Sequence, residues 1–509
     1  MEQRAYRSDC SALPRAADGK VDVDPAGMQV FLDYVERKEI HMNSIMVVRH
    51  GEVVYEGYWA PYRAELPHAL HSVTKGLVST AFGLLIAEGK ITLDTIVVPF
   101  FPDYEIRMDE NWEALTIRHL LTMTCGHDKA YPFLDREDYQ EAFFAHPLTH
   151  KPGTFFCYTN LCPYTLCNIL KRVTGENLQE YLQKRLLEPM GIRSFTCGTS
   201  PTGISHGSSL GFLTTEDMAK LGLLYLNGGR WGEKQLLPAE WVKQVSAVQV
   251  ADTKDCDFDD VPDGMCGYGF FLWRCTQPRA YRFYGIFGQH ILVLPEQDTV
   301  IVTTGSHTRS DQILEGVWQY LLPAMQKELA PNESLLHAVR ERLTQLQIGH
   351  VCGTAESPQM EKWSGRWMSF PENRETLLSA WLMANRVWPQ AAAAYNGIHR
   401  CKLDFEDRRL TLTWQEGALE NRWSIKTGRE PTKIVYQTHV GKYEIAAWAN
   451  WEAPQSLALE MVYLNYAQRV RVEFIFDEKN VQVRFYEIPF GREYRTEALR
   501  TLMASWEER

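Results

Sequence analysis

The chain has 509 residues, of which 45% are hydrophobic and 23% are charged, and its formal net charge at pH 7 is -11. This length exceeds one ordinary hydrophobic core, so we expect two domains, and the composition excludes a disordered chain. The acidic balance, without a basic run or a zinc-finger spacing, argues against nucleic acid as a partner.

The first half of the chain predicts a hairpin followed by helices. Strand-forming residues and turn residues predict two strands, Ser44 to Val48 and Val53 to Tyr58, joined by a tight turn. Apolar residues at helical spacing then predict a helix from Thr74 to Glu88, with Gly89 as its C-cap. Further helices are predicted at Leu115–Leu121, Cys162–Val173, Leu178–Leu187 and Glu216–Leu226.

Strand character returns in the next part of the chain. Strands are predicted at Tyr268–Arg274, Arg282–Tyr284, His290–Leu294 and Thr299–Thr303, and a helix at Ile313–Lys327. A turn at 295–298 joins the last two strands. A sheet assembled from both ends of this region, with helices between them, is an α+β arrangement in which an early helix packs against strands formed later.

A change in pattern marks a second domain. A predicted helix at 331–346 and a polar stretch at 350–360 lead into short runs that alternate apolar and polar residues. The predicted strands are Leu410–Trp414, Lys433–Thr438, Lys442–Trp448, Leu457–Leu464, Arg469–Phe476 and Val481–Tyr486. We therefore expect an α+β domain at 1–330, a helix and linker at 331–360, and a β-rich C-terminal domain, a sandwich or part-barrel, at 361–509.

The sequence gives no signal for export or membrane insertion. The first 27 residues contain no apolar run suited to a signal peptidase. The apolar run at 76–87 is shorter than the roughly 20 residues that span a bilayer. Eleven cysteines are scattered without paired spacing, which favours reduced thiols over a disulfide framework. We expect a cytoplasmic protein with no membrane partner.

Neither group of neighbouring metal-ligand residues has the spacing of a metal site. Cys157, Cys162 and Cys167 recur at intervals that match no zinc knuckle, and His68 and His71 have no third ligand close in sequence. Buried thiols and polar contacts near a pocket are simpler interpretations. The sequence predicts no metal and no cofactor.

The segment Ser72-Val73-Thr74-Lys75 places a serine and a lysine three residues apart at the start of a predicted helix. Residues at this spacing share one helix face, so the lysine amine can reach the serine hydroxyl and act as its base. The ordinary lysine pKa is about 10.4, and action near neutrality needs a decrease of roughly three units, which burial can supply. The competing interpretation is a serine N-cap beside a solvated lysine.

A second motif follows a Pro-Gly-Thr turn at 152–154. It presents Tyr158 and Asn160 at the start of a predicted helix. A tyrosine there can relay protons, and an amide can position a substrate carbonyl. Tyr-x-Asn also occurs at 225–227 and 463–465 without such a turn, so the tripeptide alone is a weak signal.

The third motif, Gly285-Ile286-Phe287-Gly288-Gln289, runs directly into a predicted strand. Glycine allows a backbone to approach a ligand closely, so an N–H of this segment is suited to completing an oxyanion hole with the N–H of Ser72. The position of Ser72 at a helix N-terminus also favours negative charge. A plain β-bulge is the alternative interpretation of the glycines.

Together these motifs resemble the β-lactamase-related serine hydrolases of the penicillin-binding-protein-like fold, which include class C β-lactamases, D-stereospecific peptidases and carboxylesterases. The resemblance covers most of residues 31–305. It includes the segment Thr116–Gly126, which is similar to the family's Thr-Ile-Arg-x-Leu-Leu-x-x-Thr-Ser-Gly. It implies a β-lactamase/transpeptidase-like catalytic domain, with an antiparallel sheet and a helical subdomain, before the β-rich C-terminal domain.

The resemblance also implies a mechanism. Ser72, Lys75 and Tyr158 would be the catalytic residues of an acyl-enzyme route, in which Lys75 and Tyr158 activate Ser72 and water releases the acid. The N–H groups of Ser72 and Ile286 would hold the oxyanion. The residues implied for substrate and oxyanion binding are Asn160, Ile286, Gly288 and Gln289.

The sequence departs from the β-lactamase pattern in the third motif, where Lys-Thr-Gly or His-Thr-Gly is replaced by Gly-Ile-Phe-Gly-Gln. The replacement removes the group that grips a β-lactam carboxylate, and it is similar to motifs of esterases and small-amide hydrolases of the same family. We therefore expect a small ester or amide as the substrate. A Lys-Thr-Gly string at 426–428 falls in the β-rich domain, and we interpret it as a coincidence.

Three other functions stay open from the sequence. The protein is compatible with a true β-lactamase or D-peptidase, and with a catalytically silent protein that binds a peptide or acyl ligand in the same pocket. The string Gly-Ile-Ser-His-Gly at 203–207 matches a nucleophile elbow, but no buried strand precedes it as that motif requires. The sequence does not predict the oligomeric state.

Overall fold

The structure is a computed structural model that describes residues 12–17, 22–253, 262–325, 332–349, 353–380, 382, 397–438, 441–488 and 498–507. The chain divides into two compact units. The first comprises Met1–Gly305 and Arg309–Leu346, and the second comprises Ser306–Thr308 and Gln347–Arg509.

The first unit combines strands and helices. Its strands are β1 Met42–Arg49, β2 Glu52–Tyr58, β3 His68–Ala69, β4 Thr196–Cys197, β5 Gly211–Leu213, β6 Arg230–Trp231, β7 Lys234–Gln235, β8 Trp273–Arg274, β9 Tyr281–Gly285, β10 Gln289–Leu294 and β11 Thr299–Gly305. Its α-helices are α1 Pro25–Arg37, α2 Thr74–Ala87, α3 Glu110–Ala114, α4 Ile117–Leu121, α5 Tyr139–Phe144, α6 Leu161–Thr174, α7 Leu178–Leu182, α8 Thr215–Leu226, α9 Ala239–Ser246, α10 Asp311–Gly316 and α11 Glu333–Thr344.

The main sheet of this unit has six antiparallel strands in the order β2-β1-β11-β10-β9-β8. The early hairpin β1-β2 therefore pairs with the last strand, β11, with Met46 opposite Val302. Every residue of β1 is buried. A strand buried on both faces reads as a continuous apolar run rather than an alternating one, as Ile45 to Val48 does.

Helices cover both faces of the sheet. On one face α8 lies so close that a Cβ added at Gly222 would be 2.5 Å from Val300 Cγ1. On the other face α11 contacts β2, and a Cβ at Gly57 would be 2.8 Å from Leu343 Cδ2. The two small residues allow these close approaches, because any larger side chain would force the helix and the sheet apart.

The helices between β2 and β8 form a second layer around α2. All residues of α2 from Thr74 to Leu85 are buried, so this helix runs through the core rather than over it. Helix α6 contacts α2, α4, α5 and α7. The last turn of α2 closes in a Schellman arrangement, with the Lys90 N–H donating to the Leu85 carbonyl and Gly89 in the left-handed region at φ 69°.

The second unit is β-rich. It contains the short helix α12 Met360–Trp363 and the strands β12 Trp367–Ser369, β13 Ile398–Glu406, β14 Arg409–Glu416, β15 Leu419–Lys426, β16 Thr432–Thr438, β17 Gly441–Ala453, β18 Ser456–Tyr463, β19 Arg469–Phe476, β20 Asn480–Ile488 and β21 Arg500–Trp506. They form one antiparallel sheet in the order β15-β14-β13-β12-β21-β20-β19-β18-β17-β16. A bridge between Thr427 and Ala449 brings the end of β15 back to β17, so the sheet is a near-closed barrel.

The fold class predicted from the sequence is confirmed: a mixed helix and antiparallel-sheet unit is followed by a β-rich one. Of the C-terminal tryptophans, Trp414, Trp448 and Trp451 are buried in the second unit and Trp423 is half-buried. The Lys-Thr-Gly string at 426–428 lies at the end of β15, in that unit.

Some predicted elements were wrong. Only Trp273–Arg274 of the predicted strand Tyr268–Arg274 is a strand, because Phe271 adopts φ 65° and the chain doubles back so that Tyr268 pairs with Trp273. The predicted helix Ile313–Lys327 is α10 followed by a π-turn that ends at Leu321; residues 326 and 327 lie outside the described residues. The sequence did not predict the helices α1, α3, α5, α9 and α12 or the strands β3 to β7, β12, β13, β15 and β21.

Helix α11 belongs to the first unit. Arg342 donates to Asp33 and Glu36 on α1, and the chain passes to the second unit after Leu346. Among the residues described, no helix combines the length and the apolar character needed to cross a bilayer.

Candidate active site

Ser72 lies in a tight 3₁₀ turn, His71–Val73, that leads directly into α2. His71 begins this turn with a left-handed φ of 47°. The serine is half-buried, whereas His71 and Val73 on either side of it are buried. The turn therefore presents one hydroxyl at the end of a helix that is otherwise enclosed.

Lys75 lies one turn beyond Ser72 and is only 1% exposed. Its Nζ donates to Ser72 Oγ at 2.8 Å and to the carbonyl oxygen of Ser208 at 2.9 Å. Burial lowers the pKa of the amine from 10.5 to about 7. The contact predicted from the three-residue spacing is therefore present. Near pH 7, a fraction of the Lys75 amine carries no charge.

Two imidazoles and one thiol near the lysine are kept neutral by burial. Burial lowers the pKa of His71 to about 3, with smaller contributions from His68 and Lys75. Burial likewise lowers the pKa of His206 to about 3, with Lys75 contributing in the same direction. Burial raises the pKa of the Cys162 thiol. The imidazoles and this thiol are thus neutral where Lys75 titrates.

Tyr158 lies against the lysine, just before α6. Lys75 Nζ is 4.9 Å from the centroid of its ring. The ring also contacts Trp273, at 5.8 Å between centroids, and Tyr268, at 6.2 Å. The aromatic contacts hold the ring beside the lysine. Asn160 is exposed and precedes the first residue of α6.

The Gly285–Gln289 segment forms the turn between β9 and β10. A Cβ added at Gly285 would lie 2.3 Å from the Leu70 carbonyl oxygen and 3.2 Å from the backbone nitrogen of Ser72. Glycine is needed at this position because the end of β9 passes directly beside the backbone of the serine turn. Ile286, the next residue, is half-buried.

The remaining residues of this turn are directed into the protein. Phe287 has φ 71° and its ring meets that of His71 edge-on at 5.2 Å. The Gly288 carbonyl accepts from Thr303 Oγ1 at 2.9 Å, and Gly288 itself has φ 94°. The Gln289 side chain is fully buried and donates to the carbonyls of Ile286 and Gly305.

One part of the site was not predicted from the sequence. The segment 205–209 carries the carbonyl of Ser208 that accepts from Lys75, and His206 Nδ1 lies 2.8 Å from Ser208 Oγ and 3.2 Å from Ser209 Oγ. A Cβ on Gly207 would be 2.6 Å from Cys167 Sγ, so the segment packs tightly on α6. A backbone carbonyl has no sequence signature, so spacing alone could not identify this position.

Residues 29–322 match the family model described as Beta-lactamase. The chain is 27% identical over 329 residues to the 6-aminohexanoate-dimer hydrolase of Paenarthrobacter ureafaciens, a match that covers 58% of this chain and 82% of that protein. It is 29% identical over 210 residues to Esterase EstB of Burkholderia gladioli, covering 35% of this chain and 53% of the esterase.

A solved structure shows the same fold. It is described as a candidate beta-lactamase from Bacteroides dorei, and it superposes with a TM-score of 0.50 at 15% sequence identity. The match covers 59% of this chain and 99% of that chain.

Proposed function

The chain belongs to the beta-lactamase family and is a serine hydrolase, and we propose that it cleaves a small ester or amide through an acyl-enzyme on Ser72. The observation that carries the proposal is the 2.8 Å contact between Lys75 Nζ and Ser72 Oγ in a buried setting. A base with a pKa near the working pH combines the right protonation state with a useful driving force.

In the proposed first step, neutral Lys75 takes the hydroxyl proton of Ser72 as Oγ attacks the substrate carbonyl. The contact to the Ser208 carbonyl holds the amine in place during this transfer. The new C–O bond places a negative charge on the former carbonyl oxygen. The proton held by Lys75 then passes to the leaving group, and the bond to that group breaks.

Tyr158 is proposed to carry protons between Lys75 and the leaving group. Its ring contacts both the Lys75 amine and the ring of Trp273. A tyrosine hydroxyl both donates and accepts hydrogen bonds, so it can pass a proton in either direction without a net change in its own protonation state. In the second step, water attacks the acyl-enzyme by the reverse path and Ser72 regains its proton.

The negative charge formed in each step needs hydrogen-bond donors fixed in advance. We propose the N–H groups of Ser72 and Ile286 for this role. Support comes from the end of β9, which passes so close to the serine turn that a Cβ on Gly285 would crowd the Ser72 nitrogen. Fixed donors of this kind contribute a factor of about 10² to 10³ in rate each.

The substrate we propose is a small ester or amide rather than a β-lactam. The residues before Gly285 are Phe283 and Tyr284, not a lysine. Phe283 is buried, with its ring beside Gly76 of α2, and the Tyr284 hydroxyl lies 3.0 Å from Ser310 Oγ. Neither residue offers a cation for a substrate carboxylate. The names of the two relatives, an esterase and a hydrolase of a dimer, agree with this class.

We also propose that the protein acts in the cytoplasm. The eight cysteines in the described parts of the chain are free thiols. The reducing environment of the cytoplasm would keep them in that state.

The test is hydrolysis of a panel of p-nitrophenyl esters and anilides by the parent and by the Ser72→Ala variant. The control is Ser79→Ala, a buried serine two turns further along α2. We expect turnover by the parent and by Ser79→Ala, and loss of at least about a thousandfold for Ser72→Ala.

Two results would reject the proposal. Full activity of Ser72→Ala would assign the chemistry to another nucleophile. Binding of the esters without turnover by the folded parent would instead identify a silent ligand-binding protein with the same site.

A further inference from the structure

The Gln289 side chain makes an unusually complete set of contacts with the backbone. Its Nε2 donates to the carbonyl of Ile286 at 2.9 Å and to the carbonyl of Gly305 at 3.0 Å, and its Oε1 accepts from the N–H of Gly305 at 3.1 Å. The side chain is 0% exposed. Both donors of the carboxamide are therefore used, and it joins the β9–β10 turn to the end of β11.

This arrangement fixes the turn at Ile286 from both sides. The peptide before Ile286 is held by the pairing of Gly285 with Gln289 at the end of β9. The peptide after Ile286 is held through its carbonyl by the Gln289 carboxamide. The Ile286 N–H lies in the first of these two peptide planes, which is paired at only one end. Fixing the second plane restrains rotation about the backbone bonds of Ile286, so the first plane cannot turn independently and the N–H keeps its direction.

The carboxamide cannot be replaced by a group of the same shape without the loss of hydrogen bonds to the backbone. A carboxylate at this position would face two carbonyl oxygens with no proton to offer, and a thioether would remove all three hydrogen bonds to the backbone. The turn is also conformationally demanding, since Phe287 and Gly288 both have positive φ. Without the bridge, the turn has other arrangements available in which the Ile286 N–H points elsewhere.

We infer that Gln289 is a positioning residue that orients the Ile286 N–H as the second donor of the oxyanion hole, through its bridge between Ile286 and Gly305. The inference rests on the proposed function, because it needs a reaction that develops charge on a carbonyl oxygen. It assigns Gln289 no contact with the substrate. The side chain acts entirely through the backbone of the turn.

The matched control lies in the same turn. Thr303 is 1% exposed, and its hydroxyl donates to the carbonyl of Gly288, on the far side of the turn from Ile286. Thr303→Val removes one buried hydrogen bond to the turn but keeps the Ile286 carbonyl held. If Gln289 and Thr303 had only a structural role, substitution of either residue would lower the stability of the protein. The folded fraction of the Gln289 variants and of Thr303→Val would then catalyse the reaction in the same way.

The experiment compares the parent, Gln289→Met, Gln289→Glu and Thr303→Val on an ester and on the matching thionoester. Sulfur accepts hydrogen bonds weakly and is larger than oxygen, so an intact oxyanion hole favours the oxygen ester. The ratio of the two rates does not depend on how much of the protein is folded. A destabilised variant therefore still gives a usable rate ratio. The ratios of the two Gln289 variants can be compared with each other.

We expect the oxygen-to-sulfur rate ratio of both Gln289 variants to fall at least tenfold, with kcat on the ester reduced by roughly 10 to 100-fold and KM changed less than about threefold. The acidic limb of the pH profile should stay in place, because Lys75 is untouched. Thr303→Val should keep the parental ratio.

A parental rate ratio in both Gln289 variants, or an equal decrease in Thr303→Val, would overturn the inference and leave the proposed function standing. Failure of the proposed function itself has a different signature, which is activity retained in Ser72→Ala.

Discussion

Among single residues, the proposed chemistry depends most on the amine of Lys75. Lys75 is 1% exposed, and its burial shifts the pKa to about 7, while its contacts are a serine hydroxyl and a backbone carbonyl. A protein gains nothing in stability from such a residue, since an amine transferred from water to the interior loses its hydration. The lysine is best explained by chemistry rather than by packing.

The first prediction concerns the pH dependence of kcat/KM. The base is active when Lys75 has lost its proton, so the rate should rise with pH and reach half of its maximum near the pKa of about 7. His71 and His206 have pKa values of about 3 and contribute no step in this range. The measurement is kcat/KM on a neutral ester from pH 5 to pH 9. A rate that is independent of pH between 6 and 8 would contradict this assignment.

The second prediction concerns the stability of Lys75→Met. The variant should be inactive yet more stable than the parent, because an apolar side chain replaces a buried amine. In the parent, the unfolded state binds a proton at Lys75 up to a pKa of 10.5, whereas the folded state loses it at about 7. Between these values the stability of the parent rises with pH, by at most about 1.4 kcal/mol per unit.

The advantage of Lys75→Met should therefore be largest below pH 7 and should shrink as pH rises towards 10. The difference in stability between Lys75→Met and the parent is measured by thermal unfolding of both proteins at pH 6, 8 and 10. An advantage that is constant or increases over this range would show that the lysine is not the group whose proton is displaced on folding.

At the scale of elements, the site is assembled from segments far apart in sequence. The 3₁₀ turn before α2 supplies the nucleophile, the loop before α6 supplies Tyr158, and the end of β9 lies beside the Ser72 backbone. The approach of β9 depends on Gly285, whose neighbours leave no room for a Cβ. A strand end, rather than a side chain, defines one wall of the proposed oxyanion hole.

The third prediction tests this close approach. In Gly285→Ala the new Cβ would meet the Leu70 carbonyl oxygen at 2.3 Å, so β9 must move away from Ser72. A displacement near 1 Å at the reacting groups costs about 10²-fold in rate, and we expect a decrease in kcat of that order. The control is Gly349→Ala, at a glycine with no neighbouring atom within 4 Å of the added Cβ. Parental activity in Gly285→Ala would show that the approach of β9 is not needed.

For the whole molecule, the sequence identified the first hairpin, the long helices α2, α6 and α8 and the strands β9 to β11 of the first unit, but not its short strands β3 to β7. Strong periodicity identified α2 to within one residue at its C-terminus, and Arg469–Phe476 of the β-rich unit was predicted with its observed bounds. The strand predicted at Tyr268–Arg274 failed, since aromatic composition favours a strand while the left-handed Phe271 turns the chain back. Local propensity could not reveal that turn.

The site was predictable only in part, for a physical reason. The Ser72–Lys75 contact follows from helix geometry and was reachable from spacing alone. The Ser208 carbonyl comes from a segment more than 130 residues away, and backbone groups are the same at every position. The inward direction of Gln289 depends on its pairing with Gly305, again through the backbone. Side-chain motifs are visible in a sequence, whereas their backbone partners emerge only in the fold.

The central claim is that Ser72 is the residue that becomes acylated. The direct measurement is the intact mass of the protein after treatment with a fluorophosphonate, followed by mapping of the modified peptide in the parent and in Ser72→Ala. We expect one adduct per chain, located on Ser72, formed faster above pH 7 than below it and missing from the variant. An adduct on another residue, or equal labelling of the variant, would contradict it.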